Sequence, residues 1–195
     1  KPFRLGVNVQ KNIECYDSEK ESLNEKYEII SKNLNRYSSS FLSKINLKYI
    51  VLCENLSIAG INTAGIPNNL TRTLILDIKF NNKYFERAIH HEVFHMINDS
   101  HKKLFDKKEW KIFNKKNFKY SECSTCNNNW NLELYNKTNG FLTEYSKSTI
   151  SEDMAEIFSH LMFYRKKIYI NDPIIKKKIQ FIKKNILKID NTFNF

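Results

Sequence analysis

The segment from Lys83 to about Asn98 constrains the fold more than any other stretch of the chain. Apolar residues recur there at helical spacing, at Phe85, Ile89, Val93, Met96 and Ile97. This spacing predicts a helix with one buried face. The same segment contains the sequence His91-Glu92-Val93-Phe94-His95. Because residues four apart lie on the same side of a helix, both imidazoles project in one direction.

That spacing lets two neutral imidazole nitrogens take adjacent corners of one tetrahedral zinc ion. Glu92 lies beside the two histidines, where its carboxylate can accept a proton from an activated water without being a ligand. The chain has five histidines, so this arrangement rarely arises by chance. The motif predicts one catalytic zinc ion bound by His91 and His95, with Glu92 as the general base.

Two alternatives for a third ligand follow from the residues. His101 extends the motif to His-Glu-x-x-His-x-x-Asn-x-x-His, which has the spacing of the metzincins with Asn98 in place of their glycine. Alternatively, Glu152 and Glu156 are four residues apart on a predicted helix and share a face. One of these acids could bind zinc while the other orients a ligating histidine.

The remaining pattern predicts an α+β fold with a small mixed sheet, the motif helix and a helical C-terminal part. Ser151 is expected to cap the helix that carries the acids. The predicted segments are a helix at 17–36, a strand at 48–53, a loop or hairpin at 57–70, a strand at 71–78, mixed structure at 103–118, a polar loop at 119–140, a helix at 151–165 and a last helix that begins at Pro173. We expect one catalytic domain over 1–195, with about 1–100 as its upper part and 101–195 as its lower part.

Charge and composition limit the partners. The net charge is +11, and most of the excess is lysine, which predicts a solvated cationic surface and no nucleic-acid partner. No stretch approaches the roughly 20 apolar residues of a membrane span. The oligomeric state expected is a monomer. Cys123 and Cys126 form a Cys-x-x-Cys pair without a second close pair, and this favours unpaired or locally bridged loop cysteines over a second metal site.

The segment from Gly140 to Phe158, Gly-Phe-Leu-Thr-Glu-Tyr-Ser-Lys-Ser-Thr-Ile-Ser-Glu-Asp-Met-Ala-Glu-Ile-Phe, resembles the catalytic region of the anthrax lethal factor family. It is also similar to related zinc-binding metallopeptidases and to the compact Pro-Pro endopeptidases. In those proteins a tyrosine is followed seven residues later by a glutamate and then by Ala-Glu. The resemblance covers about residues 72–190. Phe94 departs from it, because many members have a small residue there.

The resemblance implies a zincin-like metalloprotease fold of the gluzincin type. It implies that Tyr145 is catalytic, that Glu152 is the third zinc ligand and that Glu156 is the second acid of the helix. A protein or peptide is then the substrate, and the strand near 72–78 would border the cleft so that an extended substrate could pair with it. We expect a secreted or translocated protein that resembles a toxin or effector.

Two other classes remain as alternatives. A catalytically inactive zincin-like module could hold a protein partner through its basic surface, although binding alone has no need of Glu92. A nucleic-acid-binding protein is favoured by charge only, and its binding would weaken steeply with salt.

Overall fold

The computed structural model describes residues 13–121, 123–125, 130–164 and 171–195. Its elements, in chain order, are β1 (Ile13–Tyr16), α1 (Lys20–Leu34), α2 (Ser39–Lys44), β2 (Tyr49–Ile58), β3 (Ile61–Asn62), β4 (Gly65–Asn68), β5 (Thr73–Asp77), α3 (Asn82–Ser100), α4 (Lys107–Ile112), a 3-10 helix (Tyr145–Lys147), α5 (Ile150–Tyr164) and α6 (Pro173–Ile189). The predicted α+β class with a small mixed sheet is confirmed.

The chain divides into two compact units, residues 1–96 and 97–195. The first contains the five-stranded sheet, with strand order β1-β2-β5-β4 and with β3 paired to β2. β2 and β5 run parallel, whereas β1 pairs antiparallel with β2 and β4 pairs antiparallel with β5. The expected single domain over 1–195 stays a prediction.

The strand predicted at 71–78 is present as β5. It is an interior strand of the sheet and not the edge strand with which an extended substrate was expected to pair. β5 lies between β2 and β4, and all five of its residues are buried. A continuous apolar strand with a neighbour on each side is the usual pattern for an interior strand. Among the described residues, the outer strand on this side is β4. The sequence predicted only a loop or hairpin at 57–70, where β4 lies.

One face of the sheet packs into an apolar cluster. Its buried members are Ile13, Cys53, Leu56, Ile66 and Ile75. A disulfide joins Cys15 to Cys53 and thereby links β1 to β2 within this cluster. The sequence did not indicate this pairing, because the two residues are 38 positions apart. Cys123 is also disulfide-bonded, and Cys126 lies outside the described residues.

The second unit is helical. α4 follows the cap residue Asp106, and α6 follows the cap residue Asp172. α6 begins with Pro173, as predicted. The expected cap at Ser151 is wrong. α5 begins one residue earlier, and the Thr149 hydroxyl accepts the Glu152 N–H at 3.2 Å. Among the described residues, no helix has the length and apolar character needed to cross a membrane.

The Cys15–Cys53 bond gives a prediction about stability. Replacing both residues with alanine should lower the free energy of unfolding by about 2–4 kcal/mol, because the bond closes a 38-residue loop in the unfolded chain. Urea titration of the two proteins measures the difference. A reducing agent should destabilise the wild type by a similar amount and the double variant by little. Equal urea midpoints for wild type and variant would contradict this role.

Candidate metal centre and active site

α3 is buried round most of its circumference, so its polar side chains need partners. Apolar residues supply much of the packing, with Phe85, Ile89, Val93, Phe94, Met96 and Ile97 fully buried. The buried polar side chains His90, His91 and Glu92 lie in one continuous stretch of this helix. Each of the three faces a different direction, since successive helical residues are about 100° apart.

His91 and His95 face each other across one turn. Their Nε2 atoms are 3.2 Å apart, and their ring planes make an angle of 68°. Two zinc–nitrogen bonds of about 2.0–2.1 Å at the tetrahedral angle place the nitrogens roughly 3.3 Å apart. The observed separation therefore suits two ligands of one zinc ion.

A third ligand atom completes a group that could hold a metal ion. His91, His95 and Glu152 each offer one ligand atom, and these atoms lie within 4.8 Å of one another. Two imidazoles and one carboxylate form a donor set that is typical of catalytic zinc, which keeps a further position for water or substrate. The residues present therefore fit a zinc ion.

His101 does not belong to this group. α3 continues through Asn98 to Ser100, and the His101 N–H donates to the Ile97 carbonyl at 3.0 Å. The helix therefore makes no sharp turn at Asn98 of the kind that a metzincin-like ligand requires. Six residues of helix separate His101 from His95, which corresponds to about 9 Å along the axis.

Glu92 is 8% exposed and lies against the outer strand of the sheet. Its Cγ atom is so close to Gly65 in β4 that a Cβ atom there would be 2.5 Å from it. The backbone of β4 thus forms one wall of the space that holds this side chain.

His90 points towards α1 and not in the direction of His91 and His95. Its Nδ1 is 2.6 Å from the Tyr37 hydroxyl, and its Nε2 is 3.0 Å from Asn33 Oδ1. Because an amide oxygen only accepts, Nε2 carries the proton and Tyr37 donates to Nδ1. Burial, assisted by the nearby charge of Arg36, lowers the pKa of His90 to about 3. The ring is therefore neutral and holds α1 against α3.

Glu156 is bonded to the turn that precedes Tyr145. Its Oε2 accepts a hydrogen bond from the Thr143 hydroxyl at 2.9 Å. The Thr143 hydroxyl oxygen in turn accepts the Ser146 N–H at 3.1 Å. These buried groups fix the start of the 3-10 helix, and the side chain of Tyr145 is only partly buried. The expectation that Glu156 orients a ligating histidine stays a prediction.

Asp153 holds the first turn of α5 in place. Its Oδ2 accepts from the Trp110 indole at 2.8 Å, from the Tyr120 hydroxyl at 2.6 Å and from the Lys178 ammonium at 2.6 Å. Both members of the Asp153–Lys178 pair are fully buried. Burial raises the pKa of Asp153 and lowers that of Lys178, while the opposite charge of each partner counteracts the shift.

Sequence reasoning missed this pair, although a signal for it existed. Lys178 lies three residues after Ile175 and four before Ile182, so it shares their buried face of α6. A lysine on an apolar stripe requires a buried acid, and Asp153 is that acid. Gly65 and Thr143 were also missed, since neither residue type indicates by itself what it packs against.

Comparison with known proteins adds the family. The profile of a family described as "putative zinc-binding metallo-peptidase" matches residues 56–188, about two thirds of the chain. The matched range contains the motif on α3 and all of α5. No curated protein and no solved structure matches the chain. The profile covers more than half of the sequence, and the chain therefore belongs to this family of zinc-binding metallopeptidases.

Proposed function

We propose that the chain is a zinc-dependent endopeptidase of the zincin type, in the gluzincin group that includes the anthrax lethal factor family. The observation that carries this proposal is the arrangement on α3. The Nε2 atoms of His91 and His95 have the separation of two zinc ligands, and the carboxylate between them in sequence is buried against a strand. Metal binding alone would not require that carboxylate.

In this proposal His91, His95 and Glu152 hold one zinc ion. Bound there, zinc supplies Lewis-acid chemistry, which polarises a carbonyl group and lowers the pKa of water. The bonds to Asp153 support the role of Glu152, because they fix the turn of α5 on which Glu152 lies. A ligand held by a rigid turn loses little conformational entropy when it binds a metal.

Glu92 is the general base. It accepts a proton from the attacking water and returns that proton to the amine that leaves when the peptide bond breaks. Its burial supports this role, because a carboxylate enclosed by protein is held in few positions. The wall formed by β4 limits the positions that the carboxylate can take.

Tyr145 donates a hydrogen bond to the oxyanion that develops on the scissile carbonyl. Two features support this role. The phenol lies on a short 3-10 helix whose start is fixed by the bond from Thr143 to Glu156. The residue is also only partly buried.

The substrate is a protein or peptide that binds in an extended conformation along β4. β4 is the last strand on its side of the sheet among the described residues. Gly65 and Pro67 alternate with Ile66, and the Ala64 carbonyl accepts the Asp77 N–H at 3.0 Å. By the alternation of an antiparallel ladder, the Gly65 N–H and C=O and the Pro67 C=O point away from β5, while proline has no N–H to donate. A substrate strand could pair with them.

Secretion or translocation remains part of the proposal. The disulfide between Cys15 and Cys53 supports it, because such bonds form and persist mainly in oxidising compartments.

The role of Glu92 can be tested with Glu92→Gln. We expect turnover to fall by roughly a hundredfold to ten-thousandfold, because the base is removed, while bound zinc and the circular dichroism spectrum stay unchanged. Peptide cleavage and zinc content are measured on the same preparations. Glu86→Gln on the same helix is the matched control, since Glu86 pairs with Lys32 at 3.4 Å, accepts from the Asn33 amide at 3.3 Å and has no proposed role in catalysis. Near-normal turnover in Glu92→Gln would exclude the general-base role and favour the inactive binding module.

The role of Tyr145 can be tested with Tyr145→Phe. Because its hydrogen bond forms in the transition state, kcat should fall by roughly ten- to a thousandfold with little change in KM. Tyr135→Phe is the matched control, since Tyr135 accepts a hydrogen bond from Lys147 at 2.9 Å and has no proposed role in catalysis. A loss of zinc or of folding in Tyr145→Phe, without a specific effect on kcat, would make Tyr145 structural.

The third ligand can be identified by metal content. Glu152→Ala should sharply lower the zinc bound per chain, because the affinity of a site depends on each ligand. His101→Ala should leave the zinc content nearly unchanged, because His101 lies about 9 Å further along the helix than His95. Elemental analysis of the two purified variants measures both. The opposite order would place the protein among the metzincins.

A further inference from the structure

A residue without a side chain, Gly65 of β4, lies close to Glu92. A Cβ atom on Gly65 would be 2.5 Å from Glu92 Cγ and 3.0 Å from Glu92 Cδ. Non-bonded carbon atoms normally approach to about 3.5–4.0 Å. With any residue other than glycine at position 65, the Glu92 side chain or the strand would have to move.

The need for glycine here is steric and not conformational. Among the described glycines, only Gly60 and Gly140 have positive φ values. Gly65 therefore has a backbone conformation that other residues adopt readily. Glycine inside a strand weakens the strand and often marks a site where another group approaches closely. At Gly65 the approaching group is the carboxylate-bearing side chain of α3.

Gly65 also faces the edge of β4 that has no paired strand in the described part of the chain. In the register of β4 with β5 it lies opposite Leu76, and its own N–H and C=O point away from β5. The C=O accepts the Thr63 hydroxyl at 3.1 Å and keeps a second lone pair for another donor. The same residue thus gives Glu92 its space and presents backbone groups to the edge where an extended chain could pair. The position of the Glu92 carboxylate relative to that edge depends on the absence of a side chain at Gly65.

We propose that Gly65 is a positioning residue for Glu92: its bare α-carbon sets the distance between the general base and the outer strand along which substrate binds. This inference rests on the proposed peptidase function. Gly65 touches neither the reacting atoms nor the metal, and its effect on the chemical step acts through Glu92. A Cβ at this position would push the carboxylate away from the attacking water and leave both histidines where they are.

The test is Gly65→Ala in the full chain loaded with zinc. We expect kcat to fall by about a hundredfold, since a displacement of about 1 Å has an effect of that size, with unchanged zinc content and little change in KM. In the Glu92→Gln background the same substitution should change the residual turnover by less than about threefold. A similar loss in both backgrounds, or wild-type kcat in Gly65→Ala, would overturn the proposal.

Gly60→Ala is the matched control. Its Cβ would meet nothing within 4 Å, but its φ of +76° makes alanine strained there. This variant should be less stable than the wild type and should keep its kcat per folded molecule. Loss of stability and displacement of Glu92 are thereby separated. An equal fall of kcat in Gly60→Ala would show that general weakening of the sheet explains the effect, and it would overturn the proposal.

A crystal structure of Gly65→Ala gives a readout that does not depend on activity. The Glu92 carboxylate should be displaced while β4 stays in place, and an unmoved carboxylate would overturn the proposal. If the wild type cleaves no peptide, the peptidase function fails and this structure still decides what Gly65 does. If Gly65→Ala does not fold, the double variant Gly65→Ala with Glu92→Ala should fold, because the Glu92 atoms that clash are gone. If neither variant folds, Gly65 is needed only for the structure of the strand, and the proposal is overturned. An alanine Cβ at this position would also be 3.2 Å from the Ile75 carbonyl oxygen.

Discussion

The structure of the first unit depends on one constraint: α3 is buried almost all round and yet carries polar groups that must be satisfied. A buried polar group without a partner is costly, so each such group determines part of the surrounding architecture. His90 requires Tyr37 and Asn33, and this requirement fixes the position of α1. Glu92 requires space at the outer strand, and glycine provides it. The arrangement around the helix therefore follows from its polar residues as much as from its apolar stripe.

In the second unit, buried polar groups and their partners likewise hold the turns next to the proposed functional residues. Asp153 is the immediate neighbour of Glu152, and it is held by three donors from three different segments. Glu156, one turn later, is bonded to Thr143 and so to the turn that leads to Tyr145. In both cases a buried acid with no proposed role in the reaction holds the backbone near a residue that has one. Asp153 does this for Glu152, and Glu156 does it for Tyr145. Such support is what keeps a catalytic group close to its productive position.

The sequence predicted the long periodic elements well. α3 and α6 were anticipated because each has an uninterrupted hydrophobic period, and β5 because it is a short continuous apolar run. β1 and α2 were missed, since a four-residue strand and a six-residue helix are too short to show a period. Their formation depends on tertiary contacts, such as the bond from Cys15 to Cys53. The position of β5 inside the sheet was missed because hydrophobicity shows that a strand is buried but does not identify its neighbours.

The candidate site could be predicted to a different extent for each residue. The spacing of His91 and His95 fixes their geometry locally, because the helix itself provides it. For Glu152, the residues gave one candidate among several and the resemblance selected it, since it lies 57 positions after His95 and no local rule connects them. Gly65 could not have been predicted at all. Its neighbours Ala64 and Ile66 give no sign of it, and the close contact with Glu92 arises only when β4 and α3 are folded together. Local chemistry therefore indicated the proposed ligands on α3, while the residue that we propose limits the position of Glu92 is visible only in three dimensions.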